Sequence, residues 1–212
     1  MIGRIKRLIF SVKAEHSFPP AVQFLAQALL GLIFACGCVP SRAQDQFTVS
    51  SPAMRDGAAL PKRFAGQGGP RNCDGNNVSP PIRWSNPPMG TRSFIISITD
   101  LDGWGEPNGA GFIHLLVYDI PGSVRQLDEG WASAASNRYK VGANTLGRLG
   151  YDGPCPRVGK EGPHKYAISV TATSLEPGTL KPGMTIGQVF DAVARYLLNS
   201  SGIEVFYPAP AK

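Results

Sequence analysis

Phe112-Ile113-His114-Leu115-Leu116-Val117-Tyr118-Asp119-Ile120 decides the fold. The run is apolar on both alternating faces, with Ile113, Leu115 and Val117 on one and His114, Leu116 and Tyr118 on the other, as a strand covered on two sides requires. Such a strand needs neighbours, and the sequence supplies them. Phe47-Thr48-Val49-Ser50 and Phe94-Ile95-Ile96-Ser97-Ile98-Thr99 are rich in β-branched and aromatic residues and bounded by Pro, Gly and Asp. Residues 164–173 put His164, Tyr166, Ile168 and Val170 on one face and Lys165, Ala167, Ser169 and Thr171 on the other. Residues 202–207 read as a closing strand. One helix is predicted over about 185–198, where Ile186, Val189, Phe190, Val193 and Leu197 fall at helical spacing and Thr185 with Gln188 makes a capping box. The expected architecture is mainly β: an antiparallel β-sandwich with a few short helices and one clear helix near the C-terminus.

Residues 1–43 read as an export signal, and 44–212 as a single domain. Arg4, Lys6, Arg7 and Lys13 form a basic stretch, residues 28–39 an apolar one, and Ser41-Arg42-Ala43 offers small residues where a signal peptidase reads, giving cleavage before Gln44. Two alternatives stay open: a lipid anchor on Cys36 or Cys38, each preceded by a small residue, and an uncleaved membrane anchor through residues 21–39. Whole-chain Lys+Arg is 21 against 15 Asp+Glu, but the leader holds five bases and one acid, leaving 16 against 14. The basicity therefore belongs mostly to the leader. No clustered basic stripe with interleaved aromatics remains, so nucleic acid is not an expected partner.

Polar residues interrupt the apolar frame in an ordered set: Asp100-Leu101-Asp102, His114, Gly150-Tyr151-Asp152-Gly153-Pro154-Cys155-Pro156 and His164-Lys165-Tyr166. Outside the leader, His114 and His164 are the only histidines, and each lies in a run that otherwise reads as buried strand. A buried polar side chain is costly unless it is paired, so these positions form the candidate site. Two aspartates beside two histidines stabilise imidazolium, which with the Tyr166 hydroxyl and the amides of residues 150–153, if these form a nest, gives donors for a phosphate. On that reading binding strengthens as pH falls through about 6.5, until the carboxylates protonate near 4. Cys73 and Cys155, the only cysteines outside the leader, predict one disulfide in an oxidising compartment. Two separate thiols are the alternative; a zinc site lacks the usual Cys-x-x-Cys or His-x-x-x-His spacing.

The order Cys73-Asp74-Gly75-Asn76-Asn77-Val78-Ser79-Pro80 with Trp84, Asp-x-Asp, a histidine strand ending Asp119-Ile120-Pro121, then Gly-Tyr-Asp-Gly-Pro-Cys-Pro and His-Lys-Tyr resembles the phosphatidylethanolamine-binding protein family. The resemblance is to its exported bacterial branch of Raf-kinase-inhibitor-like proteins and covers roughly residues 47–207. It implies a β-sandwich with a small anion pocket and no enzymatic activity, and a protein that inhibits or modulates a partner. It further implies ligand-binding roles for Asp100, Asp102, His114, His164 and Tyr166, with Gly150, Gly153 and Pro154 in one wall, and a phosphate-bearing small molecule or phospholipid head group as ligand. The family's Asp-Pro-Asp-Ala-Pro segment is altered here, with Leu101 for the first proline and Gly103-Trp104 for Ala-Pro. Two stiffening prolines are thus lost. Trp104 either lines the pocket or caps the sheet, and Ile113 stands before His114 where exported relatives usually carry an aromatic.

The other function class is a metal-assisted hydrolase using His114, His164 and Asp100 or Asp102. Nucleophilic catalysis lacks a candidate: there is no Gly-x-Ser-x-Gly elbow, no phosphate loop, and no reactive thiol once the cysteines pair. No cofactor or resident metal is expected. A periplasmic or secreted, non-enzymatic binding protein is the expectation.

Overall fold

The run at residue 112 is the strand Phe112–Pro121 in a computed structural model that describes residues 45–69, 72–103, 111–133, 136–156 and 163–207. The leader with Cys36 and Cys38, the segment 21–39 and Trp104 lie outside the described residues. The strands are β1 (Thr48–Ser50), β2 (Ala58–Ala59), β3 (Gln67–Gly68), β4 (Cys73–Asp74), β5 (Ile82–Ser85), β6 (Ser93–Asp100), β7 (Phe112–Pro121), β8 (Gln126–Leu127), β9 (Lys140–Val141), β10 (His164–Thr173) and β11 (Leu197–Tyr207). Among the described residues one α-helix, α1 (Ile186–Val193), precedes β11.

The larger sheet runs β2-β11-β10-β6-β7-β9, antiparallel except where β2 meets β11. A second antiparallel sheet, β1-β5-β8, lies over one face: Val49, Ile82 and Trp84 share a core with Phe94, Ile96, Ile98, Leu115, Val117, Ile168 and Val170. The opposite face is covered as well. There Ile95, Ile113, Leu116 and Tyr118 pack against Leu175, Leu180 and the helix residues Val189 and Val193. Val189 and Val193 are sealed from solvent, each burial stabilising the layer by about 1.5–3 kcal/mol. The chain is therefore mainly β, as its alternation predicted, with β7 covered on both sides.

The faces of β7 differ from strict alternation in one informative way. Ile98 pairs with Leu115 while the next β6 residue, Thr99, pairs with Ile113, so His114 is an extra residue at a β-bulge. Ile113 consequently joins Leu116 and Tyr118 on the helix side, whereas the His114 ring sits near Tyr166 on the side of Leu115 and Val117. Strict period-two reading put His114 on the wrong face. A second register shift, between Phe94 and Ile96, leaves Tyr118 and Asp119 opposite Ile95, with Asp119 at φ 57°.

The helix is also shorter than its apolar spacing predicts. The capping box forms at Thr185, whose side chain accepts from the Gln188 amide while Gln188 Oε1 accepts from the Thr185 amide, but the helix stops at Val193. Leu197 is the exposed first residue of β11. From there the chain pairs with β10 from Thr173 back to His164, and this ladder outweighs one further helical match.

Candidate functional site

Asp100, the last residue of β6, is directly opposite Tyr166 of β10 and Phe112 of β7. It shares the face of Phe94, Ile96 and Ile98 because each is two residues from the next. His164, two residues before Tyr166, faces the same way, and its Nδ1 meets Asp100 Oδ2 at 2.7 Å with both groups largely buried. The bulge brings His114 to this face, its ring centroid 5.5 Å from Tyr166 and 4.8 Å from Phe112. The ring beside His114 is thus Phe112 rather than the residue preceding it. Tyr166 is 1% exposed, and its hydroxyl has no hydrogen-bond partner among the described residues.

Loop 150–156 is fixed beside His114 by contacts that sequence reading missed. Asn77, at φ 53°, clasps it: Oδ1 accepts from the Gly153 amide at 2.7 Å and Nδ2 donates to the Tyr151 carbonyl at 3.2 Å. Tyr151 donates its hydroxyl to the Phe64 carbonyl, and the Pro154 carbonyl accepts from the Gly66 amide. Gly153 has to be glycine here, since a Cβ would stand 2.6 Å from Ala65 C and Gly66 N. The Asp152 amide donates to the His114 carbonyl, so this amide and that of Gly153 are both used within the fold. The expected backbone nest therefore loses two of its donors. Gly150 turns the chain at φ 113°. The disulfide joins Cys73 of β4 to Cys155, with Cα atoms 5.9 Å apart, and ties the loop to the β3-β4 hairpin.

Asp152 is more than a turn former. Its carboxylate accepts from Asn144 Nδ2 at 2.5 Å and Arg148 Nε at 2.8 Å, and its carbonyl meets His114 Nδ1 at 2.5 Å. Asn144 is buried and also takes the amides of Leu146 and Arg148. The Gly-Ala-Asn-Thr segment around Asn144 carries no pattern that would have marked it. Asn77, by contrast, lay inside a Gly-Asn-Asn turn signal.

Electrostatics correct the expectation of a paired imidazolium. Burial pushes the His114 pKa below its ordinary value, against the opposing pull of the Asp152 carbonyl and the charges of Asp100 and Asp152. A carbonyl oxygen only accepts, so Nδ1 carries the ring proton and the neutral ring has a bare Nε2. His114 is an acceptor where a donor had been expected. Burial, and next the Asp100 charge, push the Tyr166 hydroxyl pKa up, so it stays protonated.

Asp102 is exposed and stiffens the turn instead of facing inward, its Oδ2 accepting from the Lys165 amide at 2.8 Å. Asp100 Oδ1 accepts from the Asp102 amide at 2.9 Å. Leu101 uses its amide to reach the Lys165 carbonyl at 2.8 Å, a bond the family's proline has no N–H to make. Rigidity lost with that proline is recovered through the ladder. Among the described residues no group of three or more His, Cys, Asp and Glu side chains is placed to hold a metal ion, so the hydrolase reading gains no support.

Fold and cluster together define a β-sandwich with a buried polar end on its central strands. The family profile described as phosphatidylethanolamine-binding protein matches residues 50–208. A UPF0098 protein of Aquifex aeolicus is 39% identical over 136 residues, 64% of this chain and 72% of its own length. The putative lipoprotein LppC of Mycobacterium tuberculosis is 33% identical over 170 residues, 77% of this chain and 76% of its own. The crystal structure of Escherichia coli YbcL, described as a new member of the mammalian PEBP family, aligns at TM-score 0.68 and 27% identity over 77% of this chain and 99% of that one. The chain belongs to the phosphatidylethanolamine-binding protein family. No helix among the described residues is long and apolar enough to cross a membrane.

Proposed function

We propose that this chain is an exported binding protein whose Asp100, His114, His164 and Tyr166 cluster holds a phosphate-bearing small molecule or a phospholipid head group without transforming it, and through that ligand modulates a partner protein. The observation that carries the reading is the His164–Asp100 pair, a charge-assisted contact at 2.7 Å placed next to a second imidazole aimed by a bulge. Loop 150–156, with Gly150, Gly153 and Pro154, serves as its wall, and Asp102 acts by holding the turn that carries Asp100. The lipoprotein relative supports export, and intact mass of the secreted form is expected to begin at Gln44. Diacylglycerol on Cys36 or Cys38 would establish a lipid anchor instead.

The test is calorimetric titration of phosphorylethanolamine and inorganic phosphate at pH 5.5 and 8, with product analysis alongside. Binding is expected to be tighter at pH 5.5 and to be mostly lost in His164→Ala. Binding indifferent to His164→Ala sinks the site, and metal-dependent product release moves the chain to the hydrolases.

A further inference from the structure

The tautomer of His114 goes further than the presence of a site. Its Nδ1 proton is committed to the Asp152 carbonyl, and that carbonyl is fixed: the Asp152 carboxylate is held by Asn144 and Arg148, and its amide by the His114 carbonyl. The ring cannot swap tautomers without leaving that carbonyl facing an unprotonated nitrogen. Its surroundings are also settled from each neighbouring element. Asp100 on β6 and Asp152 in the loop favour imidazolium, while His164 on β10 and burial oppose it, burial being the strongest influence. Tyr166 and Phe112 contribute ring faces or edges and no charge. What a ligand meets at this ring is therefore an acceptor, beside a carboxylate that also only accepts.

Resting on the function proposed above, we infer that the site selects a phosphoryl group bringing its own proton, a phosphomonoester in its singly protonated form, over a phosphodiester. The P–OH of a monoester donates to Nε2 of His114, and its remaining oxygens take donors, of which the Tyr166 hydroxyl is one with no partner among the described residues. A diester has no proton to give. It sets an anionic oxygen against a nitrogen lone pair and binds only after His114 draws a proton from solvent, which its burial resists. A phosphomonoester has its second pKa near 6, so the selected form is well populated in mildly acidic and neutral solution.

The experiment compares matched probes at pH 6.5: phosphorylethanolamine against glycerophosphorylethanolamine in solution, and vesicles carrying phosphatidic acid against vesicles carrying phosphatidylethanolamine. The monoester of the soluble pair is expected to bind about tenfold or more tightly, the scale of leaving a buried acceptor unmatched. The same preference in the vesicle pair is expected if the phosphoryl group comes from a lipid. In His114→Gln, whose carboxamide can donate, the preference should collapse. Long-range proton–nitrogen spectra of the unmodified protein should show the Nδ1–H tautomer at His114. Equal affinity for monoester and diester, or an Nε2–H tautomer, overturns the inference while leaving an anion site intact. No binding of any probe overturns the site itself.

Discussion

Removing the disulfide is the perturbation whose size the structure fixes best. Cys73 and Cys155 are 82 residues apart, and closing a loop of that length in the unfolded chain stabilises the fold by about 4.5 kcal/mol at 25 °C on the chain-entropy account. For a domain of this size that is a fall in Tm of roughly 9–18 °C, at about 2–4 °C per kcal/mol. The wall does not depend on the sulfurs alone. Asn77 holds Gly153 and Tyr151, the Tyr151 hydroxyl holds the Phe64 carbonyl, and the Gly66 amide holds the Pro154 carbonyl. The bond therefore acts mainly on the denatured ensemble, and two consequences follow for the Cys73→Ala/Cys155→Ala double variant. Its denaturant m-value should rise because the unfolded chain expands, while phosphate affinity measured well below its Tm should stay within about threefold of the unmodified protein. Calorimetry, urea titration and phosphate binding on the same preparation decide it. Unchanged Tm, or two titratable thiols in non-reducing buffer, refutes the bond. A large loss of binding in a folded variant refutes the claim that the hydrogen bonds hold the wall.

Three further outcomes are expected. His114 takes its proton less readily folded than unfolded, so between its folded pKa and about 6.5 the unfolded chain binds the extra proton; stability should rise with pH across that window, and be lost as pH falls, by at most about 1.4 kcal/mol per pH unit, a slope that urea titrations of His114→Gln should lack. Asn77→Ala breaks both clasp bonds and puts a Cβ residue other than Asn at φ 53°, costing about 2–3 kcal/mol by urea titration, whereas Asn77→Gly recovers only the backbone part. Thr185→Ala removes one arm of the capping box and should cost about 1 kcal/mol by the same measurement, with phosphate affinity unchanged because α1 lies on the opposite face from the cluster.

Elements whose apolar pattern obeyed one period were legible in the sequence. β10 alternates without interruption, and His164 and Tyr166 share a face as its spacing required, with ring centroids 6.4 Å apart. The capping box at Thr185 and Gln188 was legible because it is a local contact three residues long. The end of α1 was not, since Leu197 satisfies a helical spacing and a strand equally well and only pairing with Thr173 settles it. Bulges are invisible to a two-residue period: nothing in Ile113-His114-Leu115 announces that two residues will oppose one. The charge state of His114 was misread for a related reason. Burial by tertiary packing keeps the ring neutral, and its tautomer is set by a backbone carbonyl 38 residues away, which no side-chain inventory contains.

Both polar residues in the middle of β7 stand at its two irregularities, and this joins fold to function. A regular strand between two apolar layers has no place for a polar side chain, because each face is filled by Leu115 and Val117 or by Leu116 and Tyr118. At each bulge one residue leaves the ladder, which frees it to be aimed and opens backbone groups to partners outside the sheet. At Asp119 the result is structural: its carboxylate accepts from Lys140 Nζ and the Gly178 amide and ties the β9 edge to the segment before α1. At His114 the carbonyl takes the Asp152 amide, the ring takes the Asp152 carbonyl, and the imidazole arrives at Asp100, His164 and Tyr166. Straightening the strand there would return Ile113 to the inter-sheet face and carry His114 across to the helix side. The apolar core would then be roughly conserved and the cluster lost, so the bulge is a requirement of the proposed site more than of the fold.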